Sequence, residues 1–176
     1  MFSTSSDIEN WVASLAGKLV EAKLGEFIFV GIVRGGDVLA RRLSSLIEQQ
    51  TGYSPPVYHI DITLYRDDLY TGLEHPTFGG THLPISVDGT RIILVDDVLF
   101  TGRTIRAAMQ EIMDYGRPAW MKLLVLIDRN GRELPIQPDF YGKQVHCAQS
   151  TKVRVEISVD GHQDSLVIQE GIYDKS

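Results

Sequence analysis

Apolar residues recur along this chain with two different periods. Near the N-terminus Ile8, Trp11, Val12, Leu15, Leu19 and Val20 return at helical spacing and put one apolar stripe on a helix. Ser6, with Glu9 three residues on, predicts a capping box at its start, and Gly25 predicts its end. Phe27-Ile28-Phe29-Val30-Gly31-Ile32-Val33 is a near-continuous apolar run of strand length, the pattern of a strand covered on both faces. Gly35 and Gly36 break it. Val38, Leu39, Leu43, Leu46 and Ile47 then restore the helical period as far as Gly52.

Residues 58–65 predict a second strand, and the polar stretch from 66 to 89 carries Gly72, Pro76, Gly79, Gly80 and Pro84 without any period. It reads as a loop, and loops of that length inside a compact domain often serve as active-site lids. Residues 91–95 predict a third strand. Ile105, Ala108, Met109, Ile112 and Met113 predict a helix after Gly102 that stops at Gly116 and Pro118, and residues 121–127 predict a fourth strand. Pro135 and Pro138 interrupt the chain beyond that strand, and two alternating runs, 151–159 and 165–169, predict antiparallel strands joined near Asp160-Gly161. Strand and helix alternate from 27 to 127, which predicts an α/β fold with a mostly parallel central sheet flanked by helices and a small peripheral antiparallel hood. Ligands in such sheets bind beyond the carboxyl ends of the strands. The ends after Val33, Val95 and Ile127 carry polar or glycine-rich sequence, so the site is expected where they converge.

Composition narrows the class. With 176 residues, 43% hydrophobic and 23% charged, the chain suits one globular domain, 1–176, and not a disordered segment. No run approaches the roughly 20 apolar residues of a membrane span, and the first residues lack the basic and apolar regions of a secretory signal. Cys147 is the single cysteine; it reads as a small buried residue without disulfide or zinc partner, so a cytoplasmic location is expected. The net charge of −6 gives no global sign of nucleic-acid binding and leaves a local basic patch open.

The chemistry concentrates in Ile92-Ile93-Leu94-Val95-Asp96-Asp97-Val98-Leu99-Phe100-Thr101-Gly102-Arg103-Thr104. An apolar strand ends in two adjacent carboxylates, and a turn rich in Thr and Gly opens a helix. Thr101, Gly102, Arg103 and Thr104 gather backbone N–H groups, hydroxyls and a helix N-terminus around one point, which suits a phosphate monoester. Asp96 and Asp97 repel phosphate but accept hydrogen bonds from vicinal hydroxyls such as those of a ribose. A sugar phosphate satisfies both halves; a plain capped turn, or a Mg²⁺ site on the acid pair, are the other readings of the same residues. His75 and His82 read as solvated loop residues.

The thirteen-residue segment resembles the phosphoribosyl diphosphate (PRPP) binding segment of type I phosphoribosyltransferases, a hydrophobic strand followed by an acidic pair and TGxT. Residues 61–69 (DITLYRDDL), 95–104 (VDDVLFTGRT) and 128–136 (DRNGRELPI) resemble the pyrimidine operon regulator/uracil phosphoribosyltransferase family, PyrR, and Gly116-Arg117-Pro118 and residues 139–143 fit the same pattern. The likeness runs from about 30 to 143. It implies the type I phosphoribosyltransferase fold, PRPP, uracil and uridine monophosphate (UMP) as ligands, and Mg²⁺ carried mainly by PRPP. It implies ribose contacts at Asp96 and Asp97, the 5′-phosphate along Val98, Leu99, Phe100 and 101–104, and diphosphate at Arg34-Gly35-Gly36. There the family reads Thr-Arg-Gly, so the arginine of this chain falls one position earlier. Arg66 is expected to add positive charge at the leaving group or across a subunit contact. Ile127, Asp128 and Arg129 are expected beside the base, with backbone amides reading its polar edge, under a lid formed by about 67–89. The C-terminal peripheral strands are expected at about 143–170.

The family also implies homodimers or larger assemblies and a pyrimidine-operon mRNA leader as a partner. The apolar faces of the first helix and of strand 58–65 are candidate contacts between copies. Arg41, Arg42, Arg103, Arg106, Arg117, Lys122 and Arg132 are candidates for a basic face, against the simpler reading of scattered surface charge. A nucleotide-sensing RNA-binding regulator with little catalysis, and a purine-type phosphoribosyltransferase, are the alternative functions.

Overall fold

The computed structural model describes residues 2–62 and 80–169. Its elements run β1 (Phe2–Ser3), α1 (Ser5–Glu21), β2 (Ile28–Ile32), α2 (Gly35–Thr51), β3 (Val57–Ile60), β4 (Arg91–Leu99), α3 (Arg103–Asp114), β5 (Trp120–Arg129), β6 (Phe140–Val145), β7 (Lys152–Glu156) and β8 (Ser165–Gln169). Five strands form a parallel sheet in the order β3-β2-β4-β5-β6, and β1-β8-β7 form a small antiparallel sheet beside it.

The continuous apolar runs reflect a sheet covered on both sides, because successive side chains leave opposite faces. Phe29, Ile93, Val95, Leu124 and Leu126 join α1, α2 and the small sheet in one core. Val30, Ile32, Ile92, Leu94, Leu123 and Val125 meet α3 and Ile60 on the other face. The stripe on α1 is spent within the chain: Ile8, Val12, Leu15 and Leu19 are buried, so this face is not the one through which copies could meet.

Several boundaries differ from the pattern-based expectation. The capping box of α1 is Thr4 with Asp7: the Asp7 N–H donates to Thr4 Oγ1 at 3.3 Å and the Thr4 N–H to Asp7 Oδ2 at 2.9 Å. An aspartate three residues after the cap serves as a glutamate does, and it starts the helix before Ser6. These bonds hold the Asp7 carboxyl below its ordinary range, chiefly through the Thr4 backbone. The helix closes at Ala22, ahead of Gly25. Met113, expected on the packed face of α3, is 47% exposed.

Strand β6 is missing from the pattern because it lies at the sheet edge, where exposed Tyr141 and Lys143 alternate with half-buried Phe140 and Gly142 after Pro138. It belongs to the parallel sheet, so the peripheral strands begin at Lys152 and not at 143. Residues 63–65 of the expected second strand, 67–79 of the expected lid, and Arg66 and His75 lie outside the described residues. Residues 80–89 do not behave as part of a lid. His59 and His82 bridge antiparallel through two backbone bonds of 3.1 and 2.8 Å, and the His82 ring stacks on Tyr58 and His59. Val87 and Gly89 donate to the carbonyls of Tyr115 and Arg117, stapling this segment to the end of α3.

The small sheet is pinned to α2 by an ion pair between Arg42 and Asp164, whose side chains are 11% and 0% exposed. Asp164 also accepts the Ser158 N–H at 2.9 Å, which closes the β7–β8 turn. Removing one partner of a buried pair strands the other charge in the interior. Arg42→Met is therefore expected to lower the free energy of unfolding by about 3–5 kcal/mol, read as the shift in a urea midpoint; a change below about 1 kcal/mol would show the pair to be solvated.

Candidate active site

Because β2, β4 and β5 are parallel neighbours, their carboxyl ends lie side by side. The three chain segments singled out by sequence thus meet at one edge of the sheet. From β2 the chain turns through Val33, Arg34 and Gly35 into α2, with a cis peptide between Val33 and Arg34. The turn packs onto the end of β4 with no space for side chains. A Cβ on Gly36 would lie 2.2 Å from the Val95 carbonyl oxygen, and one on Gly35 would lie 2.5 Å from Asp97 Oδ2. Glycine is required here by close approach and not by backbone angle.

Strand β4 continues through both acids to Leu99, farther than the apolar run implies. The two acids are unequal in burial. Asp97 lies beside Gly35 and is half-buried. Asp96 is 5% exposed. Each carboxylate is anchored by the next residue: the Asp97 N–H donates to Asp96 Oδ1 at 3.0 Å and the Val98 N–H to Asp97 Oδ1 at 2.8 Å.

The turn from Phe100 to Gly102 opens α3. Gly102 has φ +92°, a left-handed conformation that glycine adopts without cost. Thr101, 7% exposed, accepts the Arg103 N–H at 3.2 Å through Oγ1. Arg103 pairs with Glu133 on the surface. Leu99 is buried, Val98 and Phe100 are half-buried, and Thr104 is half-buried in the first turn of the helix.

At the end of β5, Ile127, Asp128 and Arg129 are all buried. Their side chains are committed to the protein. Ile127 belongs to the core shared with α1 and α2. Asp128 pairs with Arg132 and accepts from Gln144 Nε2 at 3.2 Å. Arg129 donates to the carbonyls of Thr151 at 2.7 Å and Ala148 at 3.2 Å, and lies 3.8 Å from the Phe100 ring centroid. Burial holds its guanidinium below the ordinary arginine value. Cys147 is half-buried and pairs through its backbone with the Asn130 side chain.

Sequence reasoning assigns Arg132 only a place in a basic face. Its guanidinium instead points inward, 15% exposed, and ties several backbone carbonyls to Asp128. The signal is present as two arginines and a glycine within four residues directly after a strand. The basic face is broken elsewhere too: Arg41 pairs with Asp37, Arg42 with Asp164, Arg103 with Glu133 and Lys122 with Asp139.

Among the described residues no group of three or more His, Cys, Asp or Glu is arranged to hold a metal ion. Asp96 and Asp97 are hard oxygen donors, and one or two carboxylates suit a Mg²⁺ ion whose remaining ligands are phosphate oxygens and water. Among the described residues no helix is long and apolar enough to cross a membrane.

A family model for the phosphoribosyl transferase domain matches residues 4–158. Among curated proteins, the chain is 43% identical over 164 residues to the bifunctional protein PyrR of Limosilactobacillus fermentum, covering 90% of this chain and 92% of that one. It is 41% identical over 168 residues to the bifunctional protein PyrR of Geobacter sulfurreducens, covering 94% and 95%. Among solved structures, the hypoxanthine phosphoribosyltransferase of Trypanosoma cruzi superposes with a TM-score of 0.66 at 16% identity, over 96% of this chain and 95% of that one. A purine phosphoribosyltransferase from Pyrococcus horikoshii gives 0.59 at 24% identity, over 81% and 85%. At those identities the structures speak for the fold, while the curated relatives speak for the family. The chain belongs to the phosphoribosyltransferase domain family and, within it, to the PyrR family.

Proposed function

We propose that this protein, acting as a single phosphoribosyltransferase domain, converts uracil and PRPP to UMP and diphosphate. The observation that carries the reading is the end of β4, where the Asp96-Asp97 pair, the Thr-Gly turn into α3 and the side-chain-free Gly35-Gly36 turn lie together. A ribose lying across the strand end offers its 2′- and 3′-hydroxyls as donors to the two carboxylates. Its 5′-phosphate takes the amides of 101–104 at the N-terminus of α3. The diphosphate takes the turn Arg34-Gly35-Gly36 at the start of α2, which the absent Cβ atoms let close against the end of β4. Arg66, outside the described residues, is assigned to the leaving group or to a contact between copies.

The C1–O bond to diphosphate breaks first, and the electron pair leaves with the diphosphate. Uracil N1 then bonds to C1, and its proton passes to the departing diphosphate or to water. The transition state resembles the oxocarbenium ion of glycoside hydrolysis, so no nucleophile on the protein is required. Mg²⁺, held mainly by PRPP and water oxygens, would supply charge neutralisation at the leaving diphosphate. The protein's own contribution is positioning and dipoles: amides at the phosphate, carboxylates at the hydroxyls, and the backbone around Ile127, Asp128 and Arg129 at the base. Residues 67–79 are assigned to the lid that excludes water from the cation.

Uracil is favoured over purines by relatives 40–45% identical to this chain that carry the name PyrR. Their description as bifunctional supports a second arm, binding of a pyrimidine-operon mRNA leader tuned by nucleotide, in homodimers or larger assemblies. A PRPP-dependent assay over uracil, hypoxanthine, guanine and xanthine is expected to give UMP, with purine turnover at least about 100-fold lower; a faster purine reaction would move the chain to the purine class. Asp96→Asn combined with Asp97→Asn is expected to cut UMP formation about 100-fold or more, and full activity in that double variant would remove the ribose assignment. Filter retention of a leader hairpin is expected to rise on adding UMP; no retention would leave the protein an enzyme only, and retention equal with and without UMP would remove the tuning by nucleotide.

A further inference from the structure

The segment after β5 grips the phosphate turn from behind, carbonyl by carbonyl. Arg132 Nη1 donates to the carbonyl of Phe100 at 3.0 Å and lies 3.4 Å from that of Leu99. The N–H groups of Glu133 and Leu134 both donate to the Thr101 carbonyl, at 3.0 and 3.1 Å. Three successive carbonyls, those of Leu99, Phe100 and Thr101, therefore point at residues 132–134. In a planar trans peptide the N–H of the next residue points the opposite way. The amides of Phe100, Thr101 and Gly102 are thereby directed away from that segment, on the side a phosphate must occupy if these amides are to bind it.

Arg132 itself is held in place. Its Nε donates to the Ile136 carbonyl at 2.9 Å, Nη1 also reaches the Arg129 carbonyl, and Nη2 pairs with Asp128, itself held by Gln144. The Phe100 ring is confined as well. The Arg129 guanidinium lies over it, and a Cβ on Gly131 would come within 2.5 Å of it. Only the planar five-donor fork of arginine can serve carbonyls and a carboxylate in this spread; a lysine ammonium is a single point.

We propose that Arg132 is a positioning residue for the 5′-phosphate: it touches no substrate but, with the amides of 133 and 134, sets the peptide planes of 99–102 so that their N–H groups converge on the phosphoryl oxygens. The inference rests on the phosphate-binding reading of the same turn. It also links the strand end assigned to the base with the turn assigned to the phosphate, through one buried side chain.

The test compares UMP with uridine, which lacks only the phosphate, by competition binding to the full chain. In the unaltered protein UMP is expected to bind far more tightly. In Arg132→Lys, which retains a cation opposite Asp128, the UMP-to-uridine affinity ratio is expected to fall about tenfold or more, with uridine affinity and thermal midpoint little changed. A proportional loss of both ligands would reduce Arg132 to a general structural role and overturn the proposal, as would an unchanged ratio. Should Arg132→Lys not fold, Arg132→Met with Asp128→Asn removes both charges together, and the same ratio is read in it. If the unaltered protein itself shows no preference for UMP, the phosphate-binding reading fails, and the positioning role falls with it.

Discussion

The backbone contact between the start of α2 and the end of β4 is the constraint on which the site depends. At Gly36 the helix comes so near the Val95 carbonyl that a methyl group would overlap it, and at Gly35 it meets the Asp97 carboxylate. Parallel pairing of β2 with β4 sets the two chain ends at the same height, and the glycines let them close laterally. A β-hairpin could not produce this arrangement, because antiparallel neighbours bring opposite ends together. The chain leaves β2 through α2, pairs β3 parallel on one side of β2 and then returns to pair β4 parallel on the other, and the candidate site follows from that geometry.

The core elements were legible in sequence because their burial is two-sided. Phe27 to Val33 and Ile92 to Val95 are apolar without interruption, since both faces of β2 and β4 are covered. The edges were not legible for the converse reason. Strand β6 has exposed Tyr141 and Lys143, and β1 is two residues long, so neither has enough buried positions to leave a period. Residues 80–89 of the expected lid are a different case. They lack a period but are held by tertiary bonds, His82 to His59 and Gly89 to Arg117, which no local pattern encodes.

The site was legible as a set of residues but not as roles. Asp96 and Asp97 read as an equivalent pair on paper, and the structure makes them unequal in burial, Asp96 buried and Asp97 half-buried beside Gly35. Ile127, Asp128 and Arg129 read as residues whose backbone amides face the base, and the sequence does not show what their side chains do, which is to turn into protein. Arg132 read as surface charge because sequence shows a cation and not the carbonyls that surround it. In each case the missing information was burial or orientation, which depends on the neighbouring strand or loop and not on the residue's own identity.

Orientation also explains how a chain of net charge −6 suits so anionic a substrate as PRPP. Arg41, Arg42, Arg103, Lys122 and Arg132 are each matched with a carboxylate, so these five do not add up to a basic face. Attraction must come from local dipoles, which act over a few ångströms and need no net charge. The half-buried guanidinium of Arg132 contributes to that indirectly: it holds the Phe100 carbonyl, and a carbonyl so held aligns the amide on its far side. Such an arrangement selects for a phosphate in one position over anions in general, because a dipole set by two peptide planes has a direction that a solvated side-chain charge lacks.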